Sequence, residues 1–233
     1  MEDRSFGLGD RGRYPTQLMP TETDKARKVV DHARDSVSGF INAFTAVREH
    51  RGIAAGAPTD EDQDLARAAL VFAAAGLDSC IKNLIKDSIG SLSEFDSKVG
   101  ELLSKFVQKL IDSESKKRIA SALLSDSPRS DLIDSYIYEL TGSSLQSFEE
   151  LVKAAGALGI NVTNLTDNKK ELTRIFKLRN QIIHELDVNF DGGVGKRERN
   201  SRSKESLESD AGLLLDTAGN FVESVESKLA ARG

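Results

Sequence analysis

Leu172-Thr-Arg-Ile175-Phe-Lys-Leu-Arg179-Asn180-Gln-Ile182-Ile-His184-Glu-Leu186 puts Leu172, Ile175, Ile182 and Leu186 on one stripe, with Arg179 where a further apolar residue is expected. Steps alternating between three and four residues mark a helix that buries one face against its neighbours. The same alternation runs through Ala26, Val30, Ala33, Val37, Phe40, Phe44 and Val47, and again through Leu207, Ala211, Leu214, Ala218, Phe221 and Val225. Between the first two lies a segment from Thr59 to about Ser88 that is apolar on nearly all sides (Leu70, Val71, Phe72, Leu77, Ile81, Leu84, Ile85). A helix of that kind is buried among several others. Three seamed helices around one apolar helix predict an all-α fold with a four-helix-bundle core.

Working outward, residues 1–20 read as a Gly- and Arg-bearing flexible arm, and 21–90 together with 166–233 read as the bundle. Residues 91–165 break into shorter helical pieces at Ser127-Pro128, Gly142-Ser143 and Gly159, which predicts an inserted helical region. The 233 residues are 39% hydrophobic and 30% charged, ordinary values for a globular protein. A single cysteine, Cys80, excludes an internal disulfide framework, and in a packed helix it reads as a small buried hydrophobe. Residues 1–20 lack the apolar core of a signal peptide, and no run reaches the roughly 18 apolar residues of a membrane span. The expectation is a reducing cytoplasm and no membrane. Neither a phosphate-binding loop, a dinucleotide fingerprint nor a serine-hydrolase elbow is present.

Charge is distributed unevenly. The net charge is −5, yet residues 168–204 carry ten Lys or Arg against five acids. A local basic surface on an acidic protein suits an anion such as phosphate, although a solvated helix face and a charged loop explain it equally well.

Arg179, Asn180 and His184 fall within one and a half turns of helix and offer a fixed charge, an amide and a group that titrates near neutral pH. A guanidinium stays protonated, and burying one without a partner is costly. Either Arg179 pairs with an acid such as Asp78 of the apolar helix, or it meets a phosphodiester. In the second case the His184 imidazole takes the proton from a ribose 2′-hydroxyl, and Arg179 stabilises charge on the phosphorus oxygens.

The stretch Ile175-Phe-Lys-Leu-Arg-Asn-Gln-Ile-Ile-His-Glu185 resembles the signature of the HEPN superfamily, an arginine and a polar residue followed by a histidine, R-x4-6-H. The resemblance implies a metal-independent endoribonuclease that dimerises so that two such motifs face one another across a cleft. It implies cleavage through 2′-hydroxyl attack that leaves a cyclic phosphate. It also implies a role as a toxin or in antiphage, abortive-infection defence, often restrained by an antitoxin or regulatory protein. Carried onto this chain, it makes Arg179 and His184 catalytic and Asn180 a supporting polar residue. Asp78 as the group that orients Arg179 is argued from burial alone. Because some members only bind RNA or a partner protein, a non-catalytic helical module is the alternative.

Downstream, Lys196, Arg197, Arg199, Arg202 and Lys204 are candidate contacts to RNA phosphates, or else a solvated loop. No cofactor is expected. Asp187, Asn189, Asp191, Gly192 and Glu198 nevertheless match the spacing of a calcium-binding loop, with glycine at the sixth position and glutamate at the twelfth. Such loops normally come in pairs, and a helix stop explains the same residues without a metal. His32 and His50, off the seam of the first helix, read as surface residues.

Overall fold

The computed structural model describes residues 21–52, 56–112, 116–190 and 198–232. The elements are α1 (Asp24–His50), α2 (Asp60–Phe95), α3 (Ser97–Asp112), α4 (Lys116–Leu123), α5 (Pro128–Thr141), α6 (Phe148–Ala157), α7 (Thr163–Asp167), α8 (Lys169–Glu185) and α9 (Lys204–Ala230). Among the described residues, extended pairing is limited to one isolated bridge between Val188 and Arg199. The fold is all-α.

Helix α2 is the axis of the molecule. It packs along both α1 and α9, which also touch each other, and α8 lies against α2 and α9. Thr59 starts α2 with a reciprocal cap: its hydroxyl accepts from the Asp62 amide while the Asp62 carboxylate accepts from the Thr59 amide. Its apolar residues Leu70, Leu77, Ile81, Leu84, Ile85 and Leu92 are fully buried. By length and composition α2 could cross a membrane, contrary to the expectation from the sequence, but most of its apolar window is buried inside the bundle. Core helices pass the same test.

Three boundaries differ from the expected ones. Helix α2 continues past Ser88 to Phe95, because burial of Ile89 and Leu92 outweighs the modest helix cost of Gly90. The α1 seam ends on Ile41, Phe44 and Arg48 rather than on Phe40 and Val47. On α8, Leu186 is 67% exposed, and the buried stripe is Leu172, Ile175, Phe176, Leu178 and Ile182. Helices α3, α5 and α6 pack on α2, and their apolar residues join the bundle in one continuous core. His32 and His50 are exposed. Cys80 is buried, and desolvation pushes its thiol up to about 12.

One contact controls how closely α1 and α2 approach. A Cβ on Gly76 would lie 2.5 Å from the Cβ of Ala33, an atom fixed to the backbone. Gly76→Ala should therefore destabilise by about 1–3 kcal/mol through overpacking, read as a lower urea midpoint. Unchanged stability would show that α1 shifts freely.

Candidate functional site

Helix α8 ends in an unusual turn. Leu186 and Asp187 both adopt left-handed backbone (φ 51° and 57°), which non-glycine residues rarely do. Their amides both reach back to the Gln181 carbonyl, closing the helix end. The strain is held by the Asp187 carboxylate, which is fully buried. Arg67 Nε donates to Asp187 Oδ2 at 2.9 Å, and Arg202 donates through Nη2 to Oδ1 at 2.8 Å and through Nε to Oδ2 at 3.2 Å. Asn200 Nδ2 donates to Oδ1 at 3.1 Å. Burial opposes ionisation of this carboxyl, but the hydrogen bonds from Arg202, Arg67 and Asn200 outweigh it and hold the pKa below its usual value. Arg67 is itself only 2% exposed. The cluster ties the end of α8 to α2 and to the segment entering α9.

The expected calcium ligand Asp187 is thus committed to two guanidiniums, which a cation would have to displace. Asn189 donates its amide to the Glu198 carbonyl, Glu198 is exposed, and Asp191 lies outside the described residues. Among the described residues, no group of three His, Cys, Asp or Glu could hold a metal ion.

Arg179 sits half-buried at the edge of the α8 stripe. Its Nη1 donates to Asn180 Oδ1 at 3.0 Å, while its Nε is buried without a hydrogen-bond partner. Asp78 does not hold it. The Asp78 carboxylate accepts from the Leu145 amide at 2.7 Å and pairs with Lys82 at 3.0 Å, and it is only partly buried. Burial lowers the Arg179 pKa, and the charge of Asp78 works in the opposite direction. Among the described residues, the acids that meet buried arginines include Asp187 and Asp64, both paired with Arg67, and Asp62, facing Arg48 at 3.1 Å.

On the neighbouring face of α8, an open groove of about 540 Å³ is lined by Arg174, Lys177, Leu178, Asn180, Gln181, His184, Glu185 and Arg202. His184 is exposed at its helix-end side, and no hydrogen bond from a described residue holds the imidazole. Arg179 does not line this groove. The two residues lie five positions apart, about 140° around the helix at 3.6 residues per turn.

The downstream cations have divided roles. Arg202 forms a wall of the groove while bound to Asp187, and Arg199 is paired with Asp64 at 2.8 Å and donates to the Leu186 carbonyl. Neither is a free loop cation. Lys204 starts α9 and lines a separate cavity with Arg48 and Ser203. Lys196 and Arg197 lie outside the described residues. Lys177 and Arg174, about two and three turns before His184 at 3.6 residues per turn, supply groove charge that the Arg179, Asn180 and His184 motif does not include. Arg174 also pairs with Asp210, whose hydrogen bond raises its pKa. Their signal in the sequence is spacing, with Arg174, Lys177 and Asn180 at steps of three and His184 four residues further on.

A model of the RiboL-PSP-HEPN family matches residues 43–230, most of the chain. No curated protein and no solved structure matches it.

Proposed function

Because the chain belongs to the RiboL-PSP-HEPN family of the HEPN superfamily, we propose that it is a metal-independent endoribonuclease whose catalytic groups are Arg179 and His184. The observation that carries this reading is Arg179. It is a half-buried guanidinium with an unpartnered Nε and no paired carboxylate among the described residues, one and a half turns from an exposed histidine in a cationic groove. A buried donor left unpaired costs about 1–3 kcal/mol, and a phosphate oxygen relieves that cost.

In the proposed reaction the neutral His184 imidazole takes the 2′-hydroxyl proton. The 2′-oxygen attacks the adjacent phosphorus, the bond to the 5′-oxygen breaks, and that oxygen leaves with a proton taken from water, while the imidazolium later returns its own proton to solvent. The products are a 2′,3′-cyclic phosphate and a 5′-hydroxyl. Arg179 stabilises the charge that builds on the phosphorus oxygens. Since Arg179 does not itself line the His184 groove, a second copy of the chain brings its own α8 across the cleft and completes the site. Arg174, Lys177 and Arg202 steer the RNA backbone along the groove, and Lys196, Arg197, Arg199 and Lys204 are proposed as further phosphate contacts. The setting proposed is cytoplasmic toxin or antiphage defence, with an antitoxin or regulatory protein as restraint.

The absence of a described partner for the His184 imidazole favours a second reading, a helical module that binds RNA or a protein without cutting it, since a general base is normally held in place by a neighbour. Stability separates one version of that reading from the first. If Arg179 serves only binding or catalysis, Arg179→Ala costs at most about 1 kcal/mol in a urea melt. A loss of about 3–5 kcal/mol would show a buried structural pair instead.

A further inference from the structure

Arginine only donates hydrogen bonds, so any amide that meets a guanidinium must turn its oxygen towards it. Arg202 Nη2 lies 3.1 Å from Gln181 Oε1, and Arg202 cannot swing away, because its guanidinium grips the buried Asp187 and its backbone amide donates to Gln63 Oε1 at 2.6 Å. Gln181 lines the groove, and its amide nitrogen, with no hydrogen-bond partner among the described residues, is the donor it has left to offer there. Asn180 is set the same way, its Oδ1 taken by Arg179. With Arg174, Lys177 and Arg202, the groove presents donors along its length, Glu185 being the one acid among its lining residues.

We propose that Gln181, oriented by Arg202 and Asp187, is a specificity-determining residue that favours bases carrying a keto oxygen, uracil or guanine, over bases carrying an amino group there. This rests on the ribonuclease reading and adds a base preference to it. Single-stranded RNA exposes base edges to such contacts, and a fixed donor pairs with uracil O4 or guanine O6 but meets another donor at cytosine N4 or adenine N6.

The test measures binding of full-length protein to short 2′-O-methyl oligouridine and oligocytidine, which cannot be cut by 2′-hydroxyl attack. Wild type is expected to prefer oligouridine by roughly tenfold. Gln181→Glu keeps an acceptor for Arg202 but presents the groove with an acceptor only, so the uridine-to-cytidine ratio should fall to one or below. The ratio is read because the added negative charge weakens both complexes. Equal wild-type binding of the two oligonucleotides, or a ratio unchanged by Gln181→Glu, would overturn the base preference while leaving the nuclease reading standing. Failure of the wild type to bind either one or to cut unmodified RNA would overturn both.

Discussion

Asp187→Ala is expected to lower the free energy of unfolding by about 3–5 kcal/mol, a large share of what a small domain holds. The reason is what remains after the carboxylate is removed. Arg67, 2% exposed, keeps its charge in the core, and Arg202 loses both contacts to Asp187. The left-handed turn at Leu186 and Asp187 loses the clamp that holds it. A urea titration by circular dichroism reads the loss, and a change below about 1 kcal/mol would show that the cluster contributes little. Replacing both partners, Arg67→Met with Asp187→Leu, should recover part of the stability, because the buried Arg67 charge is gone while Arg202, 28% exposed, still lacks its acid. The pH dependence follows from the direction of the Asp187 shift. A carboxyl whose pKa is lower folded than unfolded contributes stability above the unfolded value, about 3.9, and that stability is lost as pH falls through the folded value. Wild type should weaken as pH falls below about 4, and Asp187→Ala less steeply.

His184→Ala is expected to slow RNA cleavage by ~10²–10⁴-fold, the usual contribution of a general base. Its side chain is exposed and bonded to no described residue, so stability should change by no more than about 0.5 kcal/mol. Arg179→Ala should cost ~10²–10³-fold through lost stabilisation of the phosphorus oxygens. Because the two groups face different directions on α8, subunits carrying one variant each should recover part of the activity when mixed, each contributing the group the other lacks. Mixed subunits no more active than either variant alone would place both groups in one chain's site.

Much of the architecture could be read from spacing. The seam of α9, most of the seam of α1, the central place of α2 and its start near Thr59 follow from residue order, but α2 is not buried on all sides, since Phe72 is 47% exposed. The α1 seam was misread near its end for a geometric reason. A strict 3.5-residue period drifts by about 20° per heptad against a straight helix, so by the second heptad Ile41 and Arg48 face the core in place of Phe40 and Val47. The same fault hid the buried arginines. Arg48 and Arg67 lie deeper than Arg179; Asp64 sits within one turn of Arg67, but the buried acids Asp62 and Asp187 stand 14 and 120 residues from Arg48 and Arg67, and only the folded chain brings them together. Asp78 was assigned to Arg179 because it lies in an apolar helix, yet its carboxylate faces Lys82 and the Leu145 amide. The Arg179, Asn180 and His184 motif was legible because it is local. The groove beside it was not, since Arg202 becomes a wall only through Asp187.

Incubating the purified protein with single-stranded RNA in EDTA, and identifying the ends of the fragments, bears most directly on Arg179 and His184. Wild type should release fragments with 2′,3′-cyclic phosphate and 5′-hydroxyl ends, and His184→Ala should release almost none. RNA left intact by the wild type, or cut as fast by His184→Ala, would contradict a catalytic role for the pair.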